Sequence, residues 1–357
     1  MKMGSDANWV DLDRIIRAAV LAPSADNSQP WKFEVINRGV RLWVDPFRAD
    51  SVSDVDRVLT HISCGAVVEN MAIQANALGY DTTITPLTDA ESPNLICKVE
   101  FHPGEPHSWD LARAIPERHT NRRLAYSRRS IGDDLLASLA QEARRIPPAD
   151  LLWIDTREKR RAALRLMRRA ERERFLHRPL HEELFGSIRF DVGWNRTVEE
   201  GLPPGALEVE VPARPLFRWL RSWSITRALN TVGLYRVLGW RIADLPSRLA
   251  PALGLLTLNE GGTFVDGGRA LQRVWLRATA SGLAVQPFAA AGILPLQLQT
   301  EKPVIAMPVL RDLADRLASL AGHRTGILFL RCGWAMPPSV VAGRREPRSF
   351  EVSRAGD

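Results

Sequence analysis

A helix-then-strand pattern occurs twice in this chain of 357 residues, and it limits the possible fold more than any other feature. GAVVENMAIQANALGYDTTITP, from Gly65, aligns with GRALQRVWLRATASGLAVQPFA, from Gly268, at an offset of 203 residues. The helical pattern from Asp11 aligns with that of Asp133 to Ala143 at an offset of 122. Such repeats predict a duplicated unit, although common helix-strand patterns can coincide by chance. The offsets differ by 203 minus 122, or 81 residues, so the second copy carries an insertion.

The pattern of apolar residues outlines the elements of each copy. From Asp11 to Leu21 apolar side chains recur at helical spacing, and Pro23 marks the end of that helix. Apolar alternation on both sides of the turn signal at 37–39 predicts a β-hairpin. The other predicted elements are helices over 64–78 and from Asp133, and strands over 82–85, 97–101, 151–155 and 326–332.

The expected fold class is α+β, with two repeats that each consist of a small sheet flanked by helices. We place the first half at residues 1–115 and the second half at 116–357. The insertion is expected at about 156–265, between the strand and the helix of the second half.

Composition and charge exclude several classes of protein. Apolar residues make up 45% of the chain and charged residues 25%, which is typical of a soluble globular protein rather than a disordered or coiled-coil chain. The net charge of +7 leaves open a nucleic acid, an anionic membrane, a phosphorylated ligand or simply a basic surface. The uncharged stretch 279–300 contains Pro287, Gly292 and Pro295, which argue against a membrane-spanning helix.

The cysteines and histidines predict no metal site. Cys64, Cys97 and Cys332 lie far apart and are odd in number, which argues against a zinc site or a disulfide framework and favours a reducing, cytoplasmic compartment. His177 and His181 lack the intervening glutamate of a metalloprotease helix. The polar N-terminal segment also lacks the apolar core of a secretory signal.

The loop after the first helix carries the most specific motif. Residues 22–35 read APSADNSQPWKFEV. Pro23 and Pro30 restrict the loop, and they place the side chains of Ser24 and Asn27 where the edge of a ligand can reach them. Asparagine offers both a donor and an acceptor, which suits a ring with a mixed polar edge. An ordinary capped turn is the alternative, because these residue types favour turns.

A second motif, RHTNRR, occupies residues 118–123 and precedes the repeated helix. The guanidinium groups of Arg118 and Arg122 can each donate two parallel hydrogen bonds to a phosphate, and the Thr120 hydroxyl can add a third donor. A solvated basic surface is the alternative interpretation of this arginine run.

The first motif resembles the P-S-x-x-N-x-Q-P-W loop of nitroreductase-type FMN-binding proteins, and every fixed position is present. RHTNRR is similar to the segment that grips the FMN phosphate in that family. The resemblance implies that the first motif contributes to the flavin site, with Gln29 and Trp31 as its scaffold. The cofactor-binding residues implied by the two motifs are Pro23, Ser24, Asn27, Gln29, Arg118, Thr120 and Arg122.

The distribution of the two motifs implies how the halves combine. In homodimers of this family, one subunit supplies the arginines and the other supplies the P-S-x-x-N loop. The resemblance therefore implies a nitroreductase-like fold in which two fused repeats form an intramolecular pseudo-dimer. The second half has RRIPPADL where its own serine-asparagine loop would stand, so a single complete site is expected. This arrangement resembles the long, duplicated Acg-like branch of the family.

Two further segments belong to the same site by resemblance. In GLAVQPFAAAG, the family brings the backbone close to flavin N5, which here falls to Pro287, Phe288, Ala289 and Ala290. Many members have a Glu-Gly pair there, so alanines leave only backbone groups for this contact. In GRREPR, Arg344 and Arg345 would return to the phosphate, with a disordered basic tail as the alternative.

The implied function is that of an FMN-dependent oxidoreductase, in which NAD(P)H is the reductant and a small nitroaromatic or quinone is the acceptor at flavin N5. Because the cofactor carries the chemistry, we assign no catalytic acid, base or nucleophile. The alternative is a flavin-sequestering binding protein with a closed lid and little NAD(P)H turnover. The expected partners are small molecules and not nucleic acids, and the chain is expected to be a monomer or a homodimer.

The insertion departs from simple members of the family. It begins with an arginine-rich helix over 157–175 and continues with a segment rich in glycine and proline over 186–212, which is typical of a lid. In residues 215–258, Trp219, Trp223 and Trp240 stand among arginines. We expect these tryptophans to be buried against the flavin domains, with contact to an anionic membrane surface as the alternative.

Overall fold

Two antiparallel sheets with the same strand order form the framework, one from each half of the chain. The structure is a computed structural model that describes residues 9–87 and 92–352. The first sheet contains β1 (Trp31–Ile36), β2 (Gly39–Val44), β3 (Tyr80–Pro86) and β4 (Leu95–Pro103) in the spatial order β1-β2-β4-β3. The second contains β5 (Ala149–Trp153), β6 (Ala252–Leu258), β7 (Ala284–Phe288) and β8 (Thr325–Gly333) in the order β5-β6-β8-β7. Equivalent strands therefore have equivalent neighbours, which confirms the predicted α+β fold of two repeats.

The helices of the first half surround its sheet. They are α1 (Trp9–Val20), α2 (Pro46–Ala49), α3 (Val58–Ala77) and α4 (Trp109–Ala114). Helix α3 begins six residues earlier than the predicted start at Cys64. The reason is the carboxylate of Asp54, which accepts hydrogen bonds from the backbone N–H groups of Leu59 and Thr60 and so satisfies donors in the first turn.

The second half begins with α5 (Asp133–Arg144), and six helices then separate β5 from β6. These are α6 (Arg157–Leu176), α7 (Arg178–Gly186), α8 (Arg214–Trp219), α9 (Trp223–Asn230), α10 (Leu234–Gly239) and α11 (Leu245–Arg248). Between α7 and α8, residues 187–213 run as an irregular segment with two short 3₁₀ turns. After β6 the chain continues with α12 (Phe264–Ala280), α13 (Ala290–Ile293) and α14 (Met307–Ala321).

One strand lies inside the range that the sequence assigned to the insertion. Residues 252–258 form β6, which pairs with both β5 and β8 in the second sheet. All seven residues of β6 are buried, so the strand lacks the alternation by which a half-exposed strand is recognised. The inserted helices therefore end with α11, before Ala252.

Helices α3 and α12, which the repeat relates to each other, pack together between the two halves. The offset of 203 residues makes Glu69 equivalent to Gln272, and Asn70 equivalent to Arg273. Arg273 donates to the Glu69 carboxylate at 2.7 Å, and Gln272 donates to Asn70 Oδ1 at 2.6 Å. The two contacts occupy equivalent places, one as an ion pair and the other as a neutral amide pair, as expected for a pseudo-twofold relation between the halves.

The tryptophans of residues 215–258 correct a prediction. They were expected to be buried, yet 64% of Trp219 and 40% of Trp240 is exposed, and only Trp223 is partly buried, 5.2 Å from the ring of His181. The core beneath these helices is filled by other side chains, among them Phe175, Phe185 and Leu220, so the tryptophans are not needed there. Among the residues described, no helix has both the length and the apolar character required to cross a membrane.

Candidate functional site

The first motif forms a tightly turned loop between α1 and β1. Asp26, Asn27 and Gln29 all have positive φ angles, of 49°, 58° and 52°. Such angles are uncommon for residues other than glycine and persist only where the surroundings enforce them. Ser24 contributes to that enforcement, because its Oγ accepts a hydrogen bond from the Gln29 N–H at 2.9 Å. The loop is therefore held in one shape by its own side chains.

Asn27 joins this loop to two distant segments. Its amide nitrogen donates to the backbone carbonyls of Glu199, Gly201 and Gly343 at 3.1 to 3.2 Å. Its Oδ1 accepts a hydrogen bond from Arg344 at 2.8 Å. The Asn27 side chain thus ties the first half to the irregular segment of the insertion and to the C-terminal residues, and it holds the Arg344 guanidinium in place.

Gln29 and Arg345 form a second link of the same kind. Gln29 is fully buried, donates to the carbonyl of Glu199 at 2.6 Å and accepts from the Arg345 N–H at 3.1 Å. The Arg345 guanidinium donates to the Gln29 carbonyl and lies 4.3 Å from the centre of the Phe350 ring. Neither side chain lines the two cavities described below, and in this structure both connect segments that are distant in the sequence.

Two arginines converge at the end of α1, where Arg118 is buried and Arg344 is partly buried. Arg118 donates one hydrogen bond, to the Leu21 carbonyl at 3.1 Å, and its guanidinium lies 4.5 Å from the centre of the Trp275 ring. Its Nε is buried and makes no hydrogen bond. Arg344 donates to the Ala22 carbonyl from two nitrogens, at 2.9 and 3.1 Å. Neither arginine forms an ion pair with a carboxylate of the described residues.

The pKa values of both groups reflect this missing countercharge. Burial holds the pKa of Arg118 well below its ordinary value, and the nearby charge of Arg344 lowers it further. Burial also lowers the pKa of Arg344, to about 10. Two adjacent cations, one buried and one partly buried, are costly without an anion, and a bound phosphate would provide both charge and hydrogen-bond acceptors.

The two arginines line a small cavity of about 140 Å³. Ser24 and Asn27 contribute from the first half, and Thr120 and Arg122 contribute from the RHTNRR segment. Arg122 also donates to the carbonyl of Ala206, a residue of the insertion, at 3.3 Å. Burial lowers the pKa of Arg122, although the charge of Asp26 opposes that shift. The two predicted motifs thus meet at one cavity, as the pseudo-dimer arrangement requires.

A larger cavity of about 430 Å³ adjoins the small one, and both are lined by Pro23, Ser24, Thr120 and Arg122. A volume of this order is within the usual range for cofactor sites, roughly 300 to 1,000 Å³. The end of β7 and the start of α13 line this larger cavity. These residues are the four that the resemblance assigned to the flavin edge: Pro287, Phe288, Ala289 and Ala290.

The insertion also lines the larger cavity. Its side chains there are mostly apolar and come from α6, α7, the irregular segment, α8 and α10: Phe175, Leu184, Leu202, Leu207, Phe217 and Leu238. Four charged groups interrupt this apolar wall: Glu171, Arg174, Glu210 and Arg241. Burial raises the pKa of Glu171 and of Asp26, which lines the same cavity, although the charge of Arg174 opposes both shifts.

Arg331 is important to the site, and sequence analysis did not identify it. It is fully buried in β8, where burial lowers its pKa to about 10. Its guanidinium donates to the carbonyls of Asn121, Arg123 and Leu124, and so it fixes the segment that carries Thr120 and Arg122. An arginine within an apolar strand, LFLRCG, was the available signal, because a charge in such a strand requires specific partners.

Within residues 9–87 and 92–352, no group of three histidine, cysteine or acidic side chains is arranged to hold a metal ion. All three cysteines are buried and unpaired.

Comparison with known proteins identified sequence relatives in Mycobacterium tuberculosis, whereas no family model matches the chain. An uncharacterized protein of strain CDC 1551 is 26% identical over 351 residues, which covers 93% of this chain and 47% of that protein. A putative NAD(P)H nitroreductase of strain H37Rv is 30% identical over 133 residues, or 36% of this chain and 38% of that protein. The chain therefore spans less than half the length of these two relatives.

Solved structures of nitroreductases were also found. The FMN-dependent nitroreductase NfnB from Mycobacterium smegmatis, in complex with NADPH, is 17% identical with a TM-score of 0.32, and the match covers 69% of this chain and 94% of that one. A nitroreductase with bound FMN from Bacteroides fragilis is 13% identical with a TM-score of 0.35, over 69% and 95% of the two chains.

The signature loop, the duplicated α+β framework and the sequence relatives point to the same family. The chain resembles nitroreductase-like proteins, with two repeats in one polypeptide. It is also similar to the mycobacterial protein described as putative NAD(P)H nitroreductase acg, with 27% identity over 90 residues, or 25% of this chain and 27% of that protein.

Proposed function

We propose that this chain is an FMN-dependent oxidoreductase that uses NAD(P)H to reduce a small acceptor such as a nitroaromatic or a quinone. The observation that carries the proposal is the adjacent pair of Arg118, which is buried, and Arg344, which is partly buried, without an ion-paired carboxylate among the described residues. A phosphate group of a cofactor is the partner whose charge and acceptor atoms suit that pair.

The residues present fit FMN on physical grounds. Arg118 lines the small cavity, and its buried Nε is a donor without a hydrogen-bond partner. Arg122 and Thr120 line the same cavity and offer further donors to a phosphate. The adjoining larger cavity is mostly apolar and suits a planar ring, and its lining includes Ser24 and the residues from the end of β7 to the start of α13.

The names of the sequence relatives favour the same assignment. The putative NAD(P)H nitroreductases of M. tuberculosis match only part of this chain, so their described activity enters here as part of the proposal. When bound, FMN would supply hydride and electron transfer, and the protein would supply binding, orientation and control of access. Arg118 and Arg344 would hold the phosphate, while the insertion would exclude water from the ring.

A second candidate function is a flavin-sequestering binding protein. Its support is the wall that the insertion builds over the larger cavity, together with the Asn27 contacts that hold residues 199–201 against the first motif. If this wall stays closed, NAD(P)H cannot approach a bound flavin, and turnover would be slow.

The central experiment measures FMN binding and its reduction with the full chain. We expect the protein to bind FMN more tightly than riboflavin, and anaerobic NADPH to bleach the bound flavin. Bleaching by dithionite but not by NADPH or NADH would favour the sequestering function and refute turnover. Absence of FMN binding would refute both functions.

A variant of Arg118 tests whether this residue binds the phosphate of FMN. Arg118→Met removes charge-assisted hydrogen bonds, each worth roughly 1.5 to 3 kcal/mol, so FMN affinity should fall about ten- to a hundredfold. Riboflavin affinity should change little, because riboflavin has no phosphate. Arg113→Met, at an exposed position of α4, is the matched control and should leave both affinities unchanged. Equal losses for FMN and riboflavin would contradict a phosphate role.

A further inference from the structure

The outer face of the insertion carries an unusual surface. From Val211 to Ala243 the chain contains six arginines and no aspartate or glutamate. Seven large apolar side chains in the same segment are exposed, although most of the segment is folded into helices: Val211, Leu216, Trp219, Ile225, Val232, Val237 and Trp240. We call residues 211–243 the arginine-tryptophan surface.

The exposed apolar side chains do not belong to the hydrophobic core beneath these helices. Helices α8, α9 and α10 direct other residues inward, among them Phe217, Leu220, Leu229 and Leu234, which pack in the cluster with Phe175 and Phe185. Leu216 and Trp219 are three residues apart on α8, so they share one helix face. Val237 of α10 and Trp240, which directly follows α10, are also three residues apart. Exposed apolar groups repeated on consecutive helices are typical of an interaction surface.

The arginines give this surface one sign of charge. Arg218, Arg221, Arg227 and Arg236 are all exposed. A second group of arginines lies beside α10, on α6, where Arg165, Arg168, Arg169 and Arg172 border a common cleft. Gly239 connects the two groups, because the position of a Cβ atom there lies 2.8 Å from the Arg168 carbonyl and 3.0 Å from the Arg172 Cβ. Carboxylates pair with the α6 group, Asp244 with Arg168, Asp312 with Arg169 and Glu173 with Arg172, and Glu210 pairs with Arg241. Arg218, Arg221, Arg227 and Arg236 form no ion pair with a carboxylate of the described residues.

Together these features point to one kind of partner. Tryptophan side chains combine an apolar body with a polar N–H group and favour the boundary between water and lipid. Arginines next to them are attracted to anionic headgroups, while leucine, isoleucine and valine enter the edge of the acyl region. We propose that the arginine-tryptophan surface binds the surface of an anionic membrane, with the helices lying along it.

The arginine-tryptophan surface lies next to the larger cavity. Binding of this surface to a membrane would not require a bound flavin. Leu216 belongs to the exposed surface and also lines the larger cavity, together with Phe217 of the same helix and Leu220 directly after it. A membrane bound to this surface would therefore lie against the outer side of the cavity wall.

Flotation of the full chain with lipid vesicles tests the proposal. We expect it to float with vesicles of phosphatidylcholine and phosphatidylglycerol in equal amounts, and not with phosphatidylcholine alone. Raising the salt from about 0.05 to 0.5 M should release much of the bound protein, because salt screens the attraction between the exposed arginines and the anionic headgroups. Absence of flotation with the anionic vesicles, or equal flotation with neutral vesicles, would overturn the proposal.

Variants at exposed positions identify the surface responsible. Arg218→Glu combined with Arg227→Glu should weaken binding at least about 25-fold, because each basic residue near an anionic surface contributes roughly fivefold. Arg14→Glu combined with Arg113→Glu makes the same change in net charge elsewhere and should retain binding. Equal losses in both pairs would mean that overall charge, not this surface, is responsible, and would overturn the assignment.

The tryptophans provide a second, uncharged test. Trp219→Ser combined with Trp240→Ser should weaken vesicle binding, whereas Trp109→Ser, at an exposed position on α4, should not. Sedimentation without lipid distinguishes a different partner. If the wild type self-associates, the tryptophan variants become monomeric and no form binds vesicles, the surface is a contact between copies of this chain and the membrane proposal is wrong.

Discussion

Gly65 and Gly268, which the repeat makes equivalent, each allow the backbone of the other helix to approach where a side chain would prevent it. A Cβ atom at Gly65 would lie 2.0 Å from the carbonyl oxygen of Val265, and one at Gly268 would lie 1.9 Å from that of Ile62. Val265 and Ile62 are themselves separated by the same offset of 203 residues. The close crossing of α3 and α12 is therefore a pseudo-twofold contact that depends on two glycines.

The first prediction concerns this crossing. Gly65→Ala or Gly268→Ala should destabilise the protein by about 1 to 3 kcal/mol or more, because an added methyl group forces two backbones apart. The double variant should cost less than the sum, since both changes separate the same pair of helices. Denaturant unfolding measures these free energies.

A glycine with open space provides the control for that experiment. No heavy atom lies within 4 Å of the Cβ position at Gly186, the last residue of α7. Gly186→Ala should leave the stability unchanged or raise it slightly, because alanine favours the helix. A cost at Gly65 no greater than that at Gly186 would contradict the tight crossing.

The second prediction concerns Arg331. Arg331→Lys keeps a positive charge but loses the planar group that donates to several carbonyls at once, so the segment with Thr120 and Arg122 should lose its fixed position. We expect FMN affinity to fall about tenfold or more while riboflavin affinity changes less, which isothermal titration calorimetry can measure. Arg324→Lys, in the chain just before β8, makes the same replacement at a partly exposed site and should leave FMN binding intact. A normal preference for FMN in Arg331→Lys would refute the positioning role.

The third prediction concerns the Asn27 side chain. Asn27→Asp tolerates the positive φ angle but removes the N–H donors to the carbonyls of Glu199, Gly201 and Gly343. Residues 199–201 should then exchange backbone hydrogens faster and bound FMN should dissociate faster, as measured by mass spectrometry and fluorescence. Asn76→Asp removes one donor to the Tyr80 carbonyl in the first half and should not affect residues 199–201. Unchanged exchange in Asn27→Asp would show that other contacts hold this segment.

The fourth prediction concerns the pH dependence of stability through Asp26. Burial raises the pKa of Asp26 above its ordinary value of 3.8, so the folded protein binds this proton more tightly than the unfolded chain does. The stabilisation is fully present below pH 3.8 and is lost as the pH rises through the higher folded-state pKa. In the protein without FMN, Asp26→Asn should therefore have a higher melting temperature than wild type at pH 7, with a smaller difference near pH 4.

Thermal unfolding between pH 4 and pH 8 tests this dependence. Asp315→Asn removes an exposed carboxylate from α14 and reports the general effect of losing one negative charge. A difference between Asp26→Asn and wild type that is constant across this range would contradict the buried carboxylate as its source. A lower melting temperature at pH 7 would mean that attraction to Arg122 and Arg174 outweighs the cost of burial.

Much of the framework could be predicted from the sequence, because local patterns specify it. The helix from Asp11, the hairpin around residues 37–39 and the paired segments at Gly65 and Gly268 follow from periodicity, turn residues and the repeat offset. The start of α3 and the strand β6 could not be predicted from local sequence patterns. The first depends on a cap from Asp54, and the second is apolar on both faces.

The candidate site was also predicted only in part from the sequence. The sequence identified residues that line the cavities, such as Ser24, Arg118 and Pro287, because their motifs are continuous in the chain. Only the tertiary structure decided which segments Gln29 and Arg345 connect, that Arg331 holds the arginine segment, and that Trp219 and Trp240 face outward. Those roles depend on which partners lie opposite a side chain across 45 to more than 300 residues of sequence, and no local pattern encodes such contacts.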